Sequence, residues 1–460
     1  MPPSDGGSGA VRMCRAAFLI PDDHVREGLV EIARSGCVDF DEAAGGAEDE
    51  VSAALRRLAP GADAGKAALA RAPVDPVELE RNGRGDLLAG EQQLNRLAAG
   101  GVHHAGIEAW IGWMPISQLS ALSTRMDALG GAVVRLARPR WVDPPTQLAD
   151  TLGRTRFHLL VDSFGVVPYA DVDPTLFAAA TYVVMFGMMF ADTGHGAIVA
   201  LLGIIAGLQR RWPSLRTAWV LITACGVSAC VFGVVFGEFF GPTGVVQALW
   251  IRPLDNPELL LAAAVVFGAV LMTASYVMGT VNRFREGGWE RALVAASGVA
   301  GFAVFASAGV LAAGLLLHQV ALFAAGAATG VTGLVLLTIG LRSEASSGGA
   351  AAAEVLVGIF DTVIRVGTNL VSFARLAAFG LVHAAIEGLV WTATSSLVGH
   401  GWPTIVGIMV FAAGNAVAFG LEGLVVAIQA LRLEYYELFS RVFVGEGRRF
   451  HPWRLDIVEA

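Results

Sequence analysis

From about residue 170 onward, apolar residues gather into long blocks: 170–208, 217–240, 258–282, 292–317, 320–341, 353–398 and 404–440. Each reaches the roughly 18 residues that a helix needs to cross a hydrocarbon core. From Ala292 to Leu341 there is no Asp, Glu, Lys or Arg. One helix of that stretch would be about 75 Å long, over twice a core of roughly 30 Å, so it crosses at least twice. His318 and Gln319 are its natural turn. The first block contains Asp192-Thr193-Gly194-His195-Gly196. Two glycines weaken a helix there and two polar side chains need water or partners, which predicts a hairpin of two short helices. The blocks then give eight membrane helices, the last two long and tilted.

Before residue 170 the pattern is shorter and more charged. Arg15 to Ile20 suits a strand, Asp22 or Asp23 an N-cap, His24 to Ser35 a helix and Cys37 to Phe40 a second strand. Ile107 to Met114, a helix to about Leu129, and Ala132 to Ala137 repeat that order. Two helical stretches, near Glu48 to Leu58 and Val77 to Leu97, lie between, without a sustained heptad. The expected fold class is a small α+β domain over residues 1–160, made of two βα lobes, followed by an all-α transmembrane domain over 161–460.

Charge orients the helices. Arg210, Arg211 and Arg216 flank one turn, Arg283, Arg285 and Arg291 another; Arg342 follows a third, and Arg441, Arg448, Arg449 and Arg454 close the chain. Arg252 is the only Lys or Arg in the alternate turns. Positive charge is retained in the cytoplasm, so both termini are expected there, in a bacterial plasma membrane. Hydrophobic residues make up 55% of the chain and charged ones 16%, which excludes disorder and an ordinary soluble enzyme. A net charge of -8 offers no basic surplus for nucleic acid. Cys14, Cys37, Cys225 and Cys230 show neither zinc-site nor disulfide-scaffold spacing, and the first dozen residues carry no apolar h-region, so the amino-terminal part is expected to stay in the cytoplasm. No metal or cofactor is expected.

Candidate chemistry lies in the last two apolar blocks. The first carries Asp361, Arg365, Asn369, Ser372, Arg375, His383 and Glu387; the second carries Glu422, Gln429, Arg432, Glu434 and Glu437. An ionisable group in such a setting is expensive and calls for a function. Helical spacing puts Asp361, Arg375 and His383 on one broad face. In an antiparallel pair, His383 and Glu422 reach similar depth beyond Arg375 and Arg432, a layout suited to a split ion path. Arg365 and Arg441 read as snorkelling or structurally paired arginines. His318 reads as a solvated turn residue, Glu238 as the end of a helix, and Asp192 with His195 as a hairpin clamp.

The chain resembles the large membrane subunit of the rotary V-type and archaeal-type ATPases, subunit a or subunit I. The resemblance covers residues 143–453 and rests on DPPTQL at 143–148, MFGMMFADTGHG at 185–196, SFARLAAFGLVHAAIEG at 372–388 and LEGLVVAIQALRLEYYELFSRVFVGEGRRFHPW at 421–453. It implies the stator half of an ion motor, working against a ring of proteolipids that each bear a carboxylate. Arg375 and Arg432 match the family's arginines. A guanidinium keeps its charge and favours the ionised form of a passing carboxylate, and it blocks direct leakage between the half-channels. Asp361 would belong to the cytoplasmic half-channel, and His383 and Glu422 to the outer one; Glu387, Gln429 and Glu437 are further candidates. The transported ion is H⁺ or Na⁺. Expected partners are the proteolipid c-ring, the lipid membrane, peripheral-stalk subunits and, indirectly, a soluble ATPase sector, since no nucleotide-binding loop is present.

The chain departs from the family in Phe190-Ala191-Asp192, in Ser372-Phe373, in the extra Arg365, and in the roughly 60 residues that replace a long coiled-coil arm. That last departure puts stalk attachment in question. Two other readings are a self-contained secondary transporter or channel, and a relative that only anchors the ring.

Overall fold

A computed structural model describes residues 9–41, 51–52, 54–55, 67–139, 142–149, 154–209, 211, 213–345, 350–399, 402–443 and 447–458. The described residues form two compact units: those within Asp150–Val166 and Ala170–Glu446 make the larger, and those within Gly9–Ala149, Val167–Tyr169 and Gly447–Ala460 the smaller. Most of the expected helix Glu48 to Leu58 lies outside the described residues, as does Arg210.

In the smaller unit, β1 (Met13–Pro21) is followed by α1 (Val25–Ser35) and the two-residue β2 (Asp39–Phe40). Then come β3 (Ala68–Ala70), α2 (Pro76–Arg81), α3 (Gly85–Ala98), β4 (Val102–His104), β5 (Ile107–Pro115), α4 (Leu119–Asp127) and β6 (Ala132–Leu136). The main sheet runs β2-β5-β1-β6, with β4 also on β5. The expected strand-helix repeat is present, and its two strands pair antiparallel, Met13 opposite Pro115. Alternation along β1 buries Ala16, Phe18 and Ile20 against Leu29 and Ile32 of α1 and Met126 of α4.

Three local expectations are corrected. Neither Asp22 nor Asp23 caps α1: Asp22–His24 form a 3-10 turn that runs into the helix, and no side-chain cap bond forms. The stretch Val77 to Leu97 is two helices, divided at Asn82-Gly83, where Gly83 has φ +66° and glycine alone is unstrained. β3 was not foreseen; it pairs in parallel with β7 (Asp456–Val458), a partner nearly four hundred residues away that no local pattern announces.

In the larger unit, α5 (Arg154–Asp162) precedes the short apolar helices α6 (Thr175–Met189) and α7 (Thr193–Leu208). Next are α8 (Pro213–Phe236), α9 (Pro257–Val294), α10 (Val299–Leu316), α11 (Val320–Glu344), α12 (Ala351–Ser372), α13 (Ala374–Leu397) and α14 (Trp402–Leu433). A π-helical turn, Glu434–Phe439, joins α14 to the final α15 (Ser440–Val442). Among the described residues, six helical stretches are long and apolar enough to cross a membrane, with α12 and α13 counted as one; α6 and α7 are shorter. Helices α7 and α8 touch backbone to backbone, since a Cβ on Gly226 would stand 2.2 Å from the Ala200 nitrogen. The turn expected between Arg283 and Arg291 falls at Gly287-Gly288, whose non-helical dihedrals break α9 there. His318 does sit at the α10–α11 turn, with φ +52°.

Just before α6, Asp171 is fully buried. Burial first, and then the neighbouring Glu286 charge, push its carboxyl up to about 7. Between an ordinary carboxylate pKa near ~3.9 and that value, the folded chain holds a proton that the unfolded chain has released. Stability therefore falls as pH rises through this window, by up to roughly 4 kcal/mol, and levels off above it. Thermal unfolding of the detergent-solubilised chain from pH 5 to 8 should show this decline, and Asp171→Asn should flatten it. An equal slope in both proteins would show that another group is responsible.

Candidate functional site

The junction of α6 and α7 is built on Asp192. The helix breaks at Phe190-Ala191-Asp192, so the glycines that follow lie inside α7 and the acid becomes its N-cap. Asp192 Oδ1 accepts from the His195 backbone N–H at 2.8 Å, and Oδ2 accepts from the Gly241 N–H at 3.1 Å. This fastens the hairpin to the turn after α8. The Thr193 N–H donates to the Glu238 carbonyl at 3.0 Å. Asp192 thus ties the hairpin to that turn through the backbones of His195 and Gly241, and the His195 side chain takes no part in these bonds.

The clamp opens onto a buried polar cluster. Asp192, His195, Glu238, His383, Glu387 and Glu422 are each at most 6% exposed. His383 Nδ1 hydrogen-bonds Glu422 Oε2, which brings α13 and α14 together at the depth their spacing predicts. His195 Nδ1 lies 3.5 Å from Glu387 Oε1 and 3.9 Å from Asp192 Oδ1. His195 packs among Phe190, Phe240 and Phe419, and its ring centroid is 5.9 Å from that of His383. Asp192, His195 and His383 each bring one donor atom within 4.8 Å of the other two, a spacing that suits a shared cation as well as a shared proton. His383 Nε2 and both Glu387 oxygens have no hydrogen-bond partner among the described residues. Titratable groups this close, shielded from bulk water, can pass a proton in short steps.

A second cluster surrounds Arg375, which is half-buried near the start of α13. Its Nη2 donates to Ser372 Oγ at 3.2 Å, and Ser372 Oγ in turn contacts Glu437 Oε1. Arg375 Nη1 has no partner among the described residues. Glu437 lies within electrostatic reach of both Arg375 and Arg432, and Arg432 itself is exposed. Thr181 of α6 donates to the fully buried Glu434 at 2.7 Å. The π turn sets these positions, because its extra residue per turn rotates Glu434 and Glu437 inward relative to an α-helical continuation. Beside Arg375 runs an open groove of about 730 Å³, lined by Val363, Ile364, Gly367, Thr368, Val371 and Ser372.

Asp361 stands apart from both clusters. It is exposed and pairs with Arg365 one helical turn away at 2.8 Å, which accounts for the extra arginine. The long helix is interrupted at Phe373, where 3-10 hydrogen bonds take over. The single face drawn through Asp361, Arg375 and His383 therefore resolves into an exposed, a half-buried and a buried position. Gln429 lies half-buried on α14 with its carbonyl oxygen unpartnered among the described residues. Sequence reasoning missed Thr181, a threonine with no motif around it. It also missed the aromatic cage of His195, whose members come from α6, the turn after α8, and α14.

Residues 93–216 match the model of the V-type ATPase 116kDa subunit family. The A-type ATP synthase subunit I of Thermococcus kodakarensis is 26% identical over 380 residues, covering 75% of this chain and 54% of that protein. Its counterpart in Halobacterium salinarum is 29% identical over 388 residues, covering 68% and 52%. In Archaeoglobus fulgidus the figures are 26% over 400 residues, with 75% and 58% covered. The chain spans about half the length of these curated relatives.

Proposed function

Because the chain belongs to the V-type ATPase 116kDa subunit family, we propose that it is the membrane stator subunit of a rotary V/A-type ATPase. In this reading it is a multi-pass protein of eight membrane helices with both termini in the cytoplasm. Ions cross at the face where α12 and α14 meet a proteolipid ring. One observation carries the reading: an open apolar groove ends on a half-buried guanidinium with a nitrogen unpartnered among the described residues. Such a surface suits an apolar helix bearing a single carboxylate, since the groove receives the side chains and Arg375 favours the ionised acid. Exposed Leu356, Val357, Phe360, Val371, Leu421 and Leu424 extend the apolar face on both helices.

The cluster of Glu238, His195, Glu387, His383 and Glu422 serves as the outer half-channel. Asp361 marks the inner one, with Arg365 tempering its charge. In this arrangement Glu422→Gln and His383→Ala should slow ATP-driven transport by about ten- to a hundredfold, because each removes a relay group. Ring association should be retained. Unchanged transport rates in both variants would remove these residues from the path.

The assembly itself is tested by placing cysteine at Val371 and seeking a disulfide to cysteines introduced on the outer face of the ring proteolipid. Formation at one ring position, lost when the pair is moved by two residues, is the expected result; no cross-link at any position would reject the interface. A ring-anchoring relative is the second reading, favoured by the roughly 60 residues that stand where a long coiled-coil arm would be. Mild-detergent purification separates the two, because the anchor would bring the ring without ATPase subunits.

A further inference from the structure

A cavity of about 820 Å³ opens at the arginine-rich end of the membrane unit, where α9 and α11 finish beside the middle of α12. Arg283, Arg291, Arg365 and Arg441 line it, against the carboxylates of Glu290 and Asp361. Three of these arginines have acidic partners: Arg283 and Arg291 meet Glu286 at 2.6 and 3.7 Å, and Arg365 meets Asp361 at 2.8 Å.

Arg441 differs. It is 6% exposed, has no salt bridge among the described residues, and stands over the Tyr276 ring at 5.2 Å. Its Nη2 has no hydrogen-bond acceptor among the described residues, and neither does Nε of the equally buried Arg283. A buried guanidinium without a counter-charge is strongly unfavourable, so the site is short of one anion.

The walls indicate what kind of anion. Leu337 and Ile339 line the cavity. Ile339 continues a stripe on α11 with Val335 and Val331, spaced four residues apart and 54%, 53% and 61% exposed. That stripe leads from the cavity along the apolar length of the helix. A charged pocket at the end of a bundle that opens onto an apolar track matches a phospholipid, with its phosphate among guanidinium donors and an acyl chain on the stripe.

We propose that this cavity binds the phosphate of an anionic phospholipid headgroup, held by Arg441 and Arg283 with Arg291 at the rim. The cavity shares Asp361 and Arg365 with the inner half-channel proposed above, but lipid retention is read without a ring, so its test stands apart from that of the stator reading.

The test uses the full chain in phosphatidylcholine nanodiscs doped with phosphatidylglycerol. Native mass spectrometry then counts the lipid that stays bound. One phosphatidylglycerol per chain, retained in preference to phosphatidylcholine, is expected. Arg441→Gln should lower its retention about fivefold, in line with roughly 1 kcal/mol per arginine near a lipid surface. Arg291→Gln, at a side chain 53% exposed and therefore tolerant of change, should act in the same direction. Equal retention of the two lipids, or unchanged retention in both variants, would overturn the proposal. A last arm adds inorganic phosphate to discs of phosphatidylcholine alone. A rise in melting temperature there, absent in Arg441→Gln and unaccompanied by phosphatidylglycerol retention elsewhere, would assign the site to free phosphate and overturn the lipid.

Discussion

Replacing Arg375 by alanine should reduce ring-coupled ion transport to background, at least about a hundredfold below wild type, with the chain still folded and associated with the ring. The magnitude follows from the loss of a charge-assisted contact worth roughly 1.5–3 kcal/mol to a passing carboxylate, together with loss of the charge barrier. The fold should survive, because Arg375 is half-buried and its described bond is a single 3.2 Å contact to Ser372. Arg375→Lys makes the comparison sharper. A lysine restores a point charge without the planar fork and yields its proton more readily when desolvated, so it should recover only part of the rate. The readout is ATP-driven ion uptake into vesicles that hold the assembled complex, with ring content measured on the same samples. Wild-type uptake in the alanine variant would exclude Arg375 as the barrier and leave a ring-independent transporter as the better reading.

The largest expected effect on stability is at Asp192. Its buried carboxylate accepts from two backbone N–H groups, at His195 and at Gly241, and so ties the α6–α7 hairpin to the turn after α8. Removing this acceptor strands both donors. At about 1–3 kcal/mol for each buried donor left unsatisfied, Asp192→Ala should destabilise the membrane unit by roughly 2–6 kcal/mol. Asp192→Asn, which keeps the shape and one carbonyl oxygen, should lose about half as much. Thermal unfolding of the purified chain in detergent measures both. An alanine variant within about 1 kcal/mol of wild type would mean that the aromatic packing around His195 fixes the junction instead.

Long-range order and local chemistry were legible in the sequence to different degrees. The apolar blocks were visible because a bilayer demands about twenty apolar residues for each crossing, and that demand is written residue by residue. The hairpin in the first block was visible for the same reason, since polar residues interrupt the run at Asp192. The pairing of His383 with Glu422 followed from antiparallel depth alone. Strand β7 and the break at Gly83 were not legible in this way. Their causes are a distant partner and a dihedral requirement, neither of which changes the apolar period.

By itself, then, the sequence determined which segments enter the membrane and which ionisable residues must be accommodated there, because lipid penalises each charge independently of its neighbours. Only the tertiary structure decided how they are accommodated. The π turn orients Glu434 and Glu437, the interruption at Phe373 separates the surroundings of Asp361 from those of Arg375, and Phe190, Phe240 and Phe419 converge on His195 from three parts of the chain. Arg441 shows the division most clearly. In sequence it is one arginine near the end of a helix, whereas in the fold it is a buried cation without a salt-bridge partner among the described residues. Whether a charge is paired depends on distances of a few ångströms between residues remote in the chain, and only packing sets those distances.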